Sequence, residues 1–337
     1  MKLKKSYIII GIIAILTSCN NDDRFFPDNC NYPVRIVRFD SAVINSDTQD
    51  KIKNLYHTYP EFIGVYTENI MGVESADTLT VINTLEQFLN DTIYGFKHTN
   101  EVVLSTFSDI TRIQEQLNTA FGKIKFLYND IKIPDIYFIV SGFNSSLFFW
   151  QDSLTKENIA IGSDMYLGSN YEYYNRVVYN YQKQNMKPES IPIDIVSAYL
   201  FKNLPSTYTK NRLLENMIYR GKIMYVVSKI FNTASENEIM GYTKEQWNWC
   251  KKNEKFIWQR IIDKHDIFKS ESLVLTSYLN DGPFTAEISQ ESPARLGTWI
   301  GMRIVDSYMN NNKEVSLQEL ISNNDAQYIL EMSNYRP

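Results

Sequence analysis

Pro134-Asp135-Ile136-Tyr137-Phe138-Ile139-Val140 is the stretch that decides the fold. A proline opens this short apolar run, and Ser141-Gly142 close it. An apolar run of this length between such residues predicts a buried strand. Asn158-Ile159-Ala160-Ile161-Gly162 follows after a polar loop and predicts a second strand, paired with the first in a small sheet.

The chain before this sheet is mostly helical in its apolar spacing. Val34–Phe39 is the exception, because it alternates apolar residues with Arg35 and Arg38 as an edge strand does. From Asp47 to Asn118 the spacing is helical, and Thr111–Phe126 predicts one longer amphipathic helix. The pattern breaks near Pro60, at Gly72–Asp77 and at Gly95.

The chain after the sheet, residues 190–337, returns to helices with recognisable start signals. Thr243–Gln246 and Ser316–Glu319 have the spacing of capping boxes. Ser292-Pro293 predicts an N-cap followed by proline at the first helical position.

These patterns predict an α+β fold dominated by helices, with a small central β-sheet. We expect a single large domain over residues 35–337, made of a helical part at 35–130 and a core at 131–337. A hydrophobic fraction of 44% excludes a disordered chain in this range.

The N-terminus predicts an exported lipoprotein. Three lysines precede the apolar run Tyr7–Leu16, which is shorter than the roughly 20 residues of a membrane-spanning helix. The pattern is typical of a signal peptide at residues 1–18. Leu16-Thr17-Ser18-Cys19 resembles the bacterial lipobox, which implies that Cys19 is acylated, becomes the mature N-terminus and anchors the chain to a membrane.

Residues 19–34 predict an acidic, flexible tether. The segment Asn20-Asn21-Asp22-Asp23 resembles the surface-export signal of Bacteroidetes lipoproteins, and a simple solvated linker explains it equally well. The expected location is therefore the cell envelope, on the periplasmic or the surface face of the outer membrane. Without residues 1–18 the formal net charge falls from −5 to −8, which disfavours nucleic acid and anionic lipid as partners.

Four tripeptides predict O-linked glycosylation. Bacteroidetes glycosylate exported proteins at Asp, then Ser or Thr, then a hydrophobic residue, and each such tripeptide alone is also an ordinary turn or helix start. The candidate acceptors are Ser41, Thr78, Thr92 and Ser153.

Catalytic and metal-binding motifs are missing from the sequence. The three histidines, His57, His98 and His265, form no pair at i and i+4 on one helix, as a zinc-protease site requires. No nucleophile elbow, phosphate-binding loop or dinucleotide fingerprint occurs. We therefore predict no catalytic residue, no metal and no cofactor. Besides the acylated cysteine, the chain has Cys30 and Cys250. These two form either one disulfide or, the better fit, two free thiols.

Aromatic residues are abundant and form two clusters along the chain. Such residues stack on sugar rings or anchor an interface, but at helical spacing they are more often core. The clusters are Tyr171, Tyr173, Tyr174, Tyr179 and Tyr181, and Trp247, Trp249 and Trp258.

Seven segments carry a resemblance to a known family. Together, and in this order, they resemble the gliding-motility lipoprotein GldB of Bacteroidetes over nearly the whole mature chain. The segments are Ile136–Asn144, Ile159–Gly168, Tyr173-Tyr174, Leu213–Lys222, Gly241–Trp247, Pro283–Thr285 and Ser292–Gly301.

That family is itself similar to predicted zinc proteases of the zincin type, which implies a zincin-like domain here. The helix expected around Ile193–Asn203 offers no histidine, and Arg220 stands where the family's metal-binding glutamate would be. The resemblance thus implies a vestigial cleft without metal, formed by Asp194, Tyr199, Glu215 and Arg220. We expect Arg220 to pair with a buried carboxylate such as Asp194 or Glu215, or to bind an anionic ligand.

The function expected from the sequence is that of a non-enzymatic envelope lipoprotein of the gliding-motility type. It would act as a scaffold through contacts with envelope proteins that the sequence does not identify. One alternative is a glycan or peptidoglycan binding module that uses the Tyr and Trp clusters, with Trp247 and Tyr174 as test positions. A hydrolase without a recognisable motif is the least supported alternative.

Overall fold

The computed structural model describes residues 22–73 and 78–337. Its sheet has the strand order β1-β2-β4-β3, in which β1, β2 and β4 are parallel and β3 is antiparallel to β4. The strands are β1 (Ile36–Arg38), β2 (Ile136–Ile139), β3 (Leu147–Gln151) and β4 (Glu157–Gly162).

The predicted sheet is confirmed, with one addition. The deciding stretch forms β2, whose four residues are all buried, and the second predicted strand forms β4 beside it. β1 lies at one edge, as its alternating pattern predicts. β3 lies where a polar loop was expected: Trp150 is buried against Tyr137 and Phe62, with ring centroids 5.1 and 5.0 Å away, and this packing holds the strand on the sheet.

Six helices precede β2 among the described residues. They confirm the predicted breaks at Pro60, Gly72 and Gly95, and the remainder of the break predicted up to Asp77 lies outside the described residues. Phe39 is fully buried beneath them and packs edge-on against Tyr66, with ring centroids 4.9 Å apart. The helices are α1 (Phe39–Ile44), α2 (Gln49–Thr58), α3 (Phe62–Asn69), α4 (Thr78–Asn90), α5 (Phe96–Thr106) and α6 (Thr111–Leu127).

Ten helices follow β4 in the chain. The capping boxes at Thr243 and Ser316 are confirmed, because each side chain accepts a hydrogen bond from the third helical residue. The helices are α7 (Tyr174–Val177), α8 (Asn180–Lys183), α9 (Ile191–Asn203), α10 (Leu213–Ile230), α11 (Glu236–Met240), α12 (Lys244–Asp263), α13 (Ser272–Leu279), α14 (Leu296–Asn311), α15 (Leu317–Ser322) and α16 (Ala326–Ser333).

The predicted helix start at Ser292-Pro293 is wrong. Helix α14 begins three residues later, at Leu296, and its N-cap is Arg295 in the left-handed region at φ +60°. The Ser292 hydroxyl is used elsewhere, because it donates to the Ser289 carbonyl at 2.7 Å and accepts from the Thr285 amide.

Helices α10 and α14 cross at the centre of the domain through two glycines. A Cβ on Gly221 would lie 2.2 Å from the Gly301 carbonyl carbon, and one on Gly301 would lie 1.8 Å from the Met217 carbonyl oxygen. The two backbones therefore touch, which only glycine permits at this distance.

From Arg24 onward the segment predicted as a flexible tether is held on the domain. Arg24 donates hydrogen bonds to the Met309 and Lys313 carbonyls at 3.2 and 3.0 Å. Phe25 packs edge-on against Tyr225, and the Val34 amide donates to a side chain of α6. Within residues 22–73 and 78–337, no helix is long and apolar enough to cross a membrane.

Candidate functional site

The residues of the predicted cleft do not share one cleft. Helices α9 and α10 form where the sequence predicts them, but only Asp194 lines the pocket described below. Tyr199 is buried, packs edge-on against Phe121 at 5.2 Å and donates its hydroxyl proton to the Lys132 carbonyl. It is a core residue.

The predicted pairing of Arg220 with Asp194 or Glu215 is wrong. Glu215 accepts from Arg212, three residues earlier, with Nε 3.0 Å from Oε1. Arg220 donates to the Leu279 carbonyl at 2.8 Å, at the C-terminus of α13. A cation at this end of a helix is stabilised by the unsatisfied carbonyls of its last turn, so Arg220 needs no carboxylate.

The candidate site is a pocket of about 370 Å³ where three helices begin. Asp194 lies in the first turn of α9, Gln246 in the first turn of α12, and Arg295 is the N-cap of α14. Helix N-termini carry partial positive charge, so the pocket is favourable for anionic groups. Tyr166 after β4 and Tyr242 before α12 also line its wall.

Asp194 is a carboxylic acid of the pocket whose acidity is weakened by its surroundings. Its Oδ2 accepts a 2.9 Å hydrogen bond from the Tyr166 hydroxyl. Burial raises the pKa of Asp194 to about 6, because it outweighs that hydrogen bond and the charge of Arg295, both of which favour the carboxylate. Near neutral pH this side chain can therefore hold or release a proton.

Arg295 supplies the positive charge of the pocket. Its Nε lies 2.9 Å from Asp281 Oδ1, and its Nη2 donates to the Met240 carbonyl. Burial, followed by the nearby charge of Arg295, lowers the pKa of Arg220. The positive φ of Arg295 is a strained conformation for a residue with a Cβ, and such strain is often found at binding sites.

Ser197 offers the pocket an unused hydrogen-bonding group. It lies one turn after Asp194 on the same face of α9 and lines the same pocket. In the part of the chain that the structure describes, its buried Oγ has no hydrogen-bond partner. Buried hydroxyls are normally satisfied, so this one is available to a ligand or a water molecule.

A second, larger cavity of about 710 Å³ adjoins the pocket. Gln184, Asn185 and Tyr242 line both cavities, and the two amide side chains donate to the Gly241 carbonyl at 2.9 and 3.0 Å. The two cavities thus form one groove. Four cationic side chains line the second cavity: Arg112, Lys183, Lys187 and Lys244.

A pair of tyrosines lies at the edge of this groove. Tyr179 and Tyr181 stack in parallel, with ring centroids 5.8 Å apart and an interplanar angle of 9°. Tyr181 lines the pocket, and Tyr179 is 72% exposed. The pair presents a flat aromatic surface to solvent.

Among the other predicted aromatic residues only Tyr174 is buried, and the three tryptophans are half-buried against the core. Tyr174 is fully buried, and its hydroxyl donates to the Asp164 carbonyl and accepts from the Leu167 amide. It cannot stack on a ligand. Trp247 packs edge-on against Trp299 at 6.1 Å.

The other predicted sites lie apart from the pocket. Cys19 is outside the described residues, and Cys30 and Cys250 are free thiols. Ser41 lies in α1 beside Asp40, which is fully buried, whereas Thr78, Thr92 and Ser153 are exposed. Residues 22–73 and 78–337 contain no group of three His, Cys, Asp or Glu side chains that could hold a metal ion.

The sequence patterns singled out Asp194 and Tyr181 among the residues of this pocket, but they gave no site role to four others that lie in the segments with the family resemblance. Tyr166 lies in Ile159–Gly168, Tyr242 and Gln246 in Gly241–Trp247, and Arg295 in Ser292–Gly301. These segments carry the family resemblance and lie far apart in the chain, yet they meet at this pocket.

Comparison with known protein families identifies the family of the chain. The model of a family described as gliding motility protein GldB matches residues 22–337. No curated protein and no solved structure matches the chain. The similarity to zinc proteases of the zincin type therefore stays a prediction.

Proposed function

The chain belongs to the gliding motility protein GldB family, and we propose that it is a membrane-anchored envelope lipoprotein that binds a polar ligand in the Asp194 pocket without catalysing a reaction. Two features support the anchor, namely the lipobox that ends at Cys19 and the membership in a family named for lipoproteins. Mass spectrometry of the N-terminal peptide tests it, because acylation adds the mass of the fatty acyl groups to Cys19.

The binding function is supported by which polar groups of the pocket already have partners within the protein. The charged groups already have protein partners: Asp194 accepts from Tyr166, and Arg295 pairs with Asp281. Among the residues described, the Ser197 hydroxyl has no hydrogen-bond partner, and the Arg295 Nε contacts Asp281 as an ion pair without a hydrogen bond. Paired charges beside an unused hydroxyl suit the recognition of a ligand. If the Ser197 hydroxyl were a catalytic nucleophile, it would need a base within hydrogen-bonding distance, and in the described part of the chain it has none.

Site-specific photocrosslinking in intact cells tests this function. A photoreactive phenylalanine analogue replaces Tyr181 in the pocket or, as the control, Phe256, which is 49% exposed on α12. We expect a discrete adduct from position 181 alone, and its loss when Asp194→Asn is added. Equal adducts from both positions, or none from position 181, would overturn the proposal.

A glycan is the second candidate for the ligand, and the stacked pair Tyr179 and Tyr181 favours it. A flat aromatic surface beside amide side chains is the combination that holds sugar rings. Calorimetry with soluble muropeptides and envelope polysaccharides tests this candidate. We expect Tyr181→Ala to weaken binding at least tenfold and Phe256→Ala to leave it unchanged. Recovery of a cleaved glycan would instead show that the protein is a hydrolase.

A further inference from the structure

We propose that the domain rests on the membrane through the face around Arg24 and that the pocket lies at the end of the domain away from the lipid. This anchor face consists of Arg24, Phe25, Phe26, Phe126 and Lys313. The inference rests on the acylation of Cys19 under the proposed function, and it adds the orientation of the domain and the surface that contacts lipid.

The length of chain between the lipid and the domain is the first constraint on the orientation of the domain. Arg24 is fixed by hydrogen bonds to the Met309 and Lys313 carbonyls, so Cys19 lies only five positions before a residue held on the domain. Five residues span at most about 18 Å when fully extended. The acyl groups therefore stay within that distance of Arg24.

Helix α14 is the second constraint on the orientation, because the anchor face and the pocket lie at its opposite ends. Arg295 is its N-cap and lines the pocket, whereas Met309 lies in its last turn and accepts from Arg24. At 1.5 Å per residue, these two positions are about 21 Å apart along the helix. If the pocket end faced the bilayer along this axis, Arg24 would lie near the limit of the reach of the tether. The short tether therefore favours the orientation in which the anchor face is nearer the lipid.

The side chains of the anchor face suit a lipid surface. Phe126 is 54% exposed and packs against Phe26, with ring centroids 6.4 Å apart. The Arg24 guanidinium lies over the Phe25 ring at 4.4 Å. Aromatic rings next to cations are the usual combination at the headgroup boundary of a membrane.

Charge does not hold the domain on the membrane, because the mature chain is acidic overall. The acyl groups supply the affinity, and the short tether together with the aromatic rings of the anchor face sets the orientation. We therefore expect the orientation to persist in salt concentrations that screen electrostatic attraction.

A depth measurement on the acylated full chain tests this orientation. A nitroxide label is attached after Phe126→Cys on the anchor face or after Tyr179→Cys beside the pocket, in a Cys30→Ser background with Cys250 buried. The vesicles contain phosphatidylethanolamine and phosphatidylglycerol. We expect oxygen in the bilayer to relax the label at position 126 and a water-soluble nickel chelate to relax the label at position 179.

The outcomes separate this inference from the proposed function. An unmodified Cys19 would overturn the proposed function and the inference together. An acylated Cys19 with both labels in water, or with the label at position 179 in lipid, would overturn the orientation alone.

Release of the anchor segment provides a second test. The double change Arg24→Ala and Phe25→Ala removes its contacts with α14 and Tyr225, which lengthens the free tether. We expect the label at position 126 to lose at least half of its oxygen relaxation while the protein stays in the membrane fraction. Lys53→Ala, at an exposed ion pair with Asp50, is the control and leaves the signal unchanged. Equal signals from the two variants would contradict the role of this segment.

Discussion

The Tyr166 hydroxyl donates a 2.9 Å hydrogen bond to Asp194 and joins the end of the sheet to the start of helix α9. Burial nevertheless keeps the pKa of Asp194 at about 6, above its ordinary value of 3.8. The chain therefore tolerates a carboxylate that is costly to ionise at neutral pH, which is typical of a residue kept for function rather than for stability.

Asp194→Asn is expected to stabilise the fold at neutral pH. Because the folded pKa of Asp194 is raised, the folded chain binds the proton more tightly than the unfolded chain. The tighter binding of this proton stabilises the fold fully below pH 4, and this stabilisation is lost as the pH rises through 6. Urea unfolding should show the variant about 2 kcal/mol more stable than the wild type at pH 7.5, and a difference near zero at pH 4.

The exposed Asp50 is the control for this change. Asp50→Asn should alter the free energy of unfolding by less than about 1 kcal/mol at both pH values, since its ion pair with Lys53 lies at the surface. A destabilised Asp194→Asn variant at pH 7.5 would show that the carboxylate is structural.

Gly301→Ala is expected to disrupt the crossing of α10 and α14. Its new Cβ would lie 1.8 Å from the Met217 carbonyl oxygen, which belongs to backbone and cannot rotate away. We expect a loss of about 3 kcal/mol or more in the free energy of unfolding, measured by urea denaturation.

Gly64→Ala serves as the matched control within a helix. A Cβ added to Gly64 in α3 would have nothing within 4 Å, so this substitution should stabilise the protein by about 0.5 to 1 kcal/mol. Equal effects of the two substitutions would contradict the close approach of α10 and α14.

Thr92 and Ser153 are the acceptors that we expect to carry glycans. Both lie in exposed loops, and the hydrophobic residue that follows each one, Ile93 or Leu154, is 82% exposed. Mass spectrometry of glycopeptides from native membranes should show modification at both positions, lost after Thr92→Ala and Ser153→Ala. Ser41 should be unmodified because the preceding Asp40 is fully buried, and a glycan there would contradict the prediction.

Cys30 and Cys250 are expected to differ in reactivity while both remain reduced. Burial raises the pKa of both thiols, but Cys250 is inaccessible and Cys30 is only half-buried. A maleimide at pH 8 should label Cys30 in the native protein, and both cysteines in urea without reductant. Labelling that requires a reductant would show a disulfide instead.

Local patterns predicted much of the fold. The apolar run at Ile136–Val140 became a buried strand, and Thr243 and Ser316 became N-caps, because these features depend on residues within a few positions of one another. Strand β3 was missed although Leu147-Phe148-Phe149-Trp150 is apolar, since the polar residues around it suggested a loop. Its hairpin with β4 and the packing of Trp150 decide its conformation.

The sequence by itself determined the α+β class, several helix boundaries and the family, and it predicted a lipid anchor at Cys19. Tertiary structure alone decided which charges meet. Arg220 lies on the predicted helix but bonds to the end of α13, and Asp194 shares its pocket with Arg295, a hundred residues later in the chain. Helix formation depends on neighbours one turn away, whereas a pocket depends on how distant helix ends pack together, which no local pattern records.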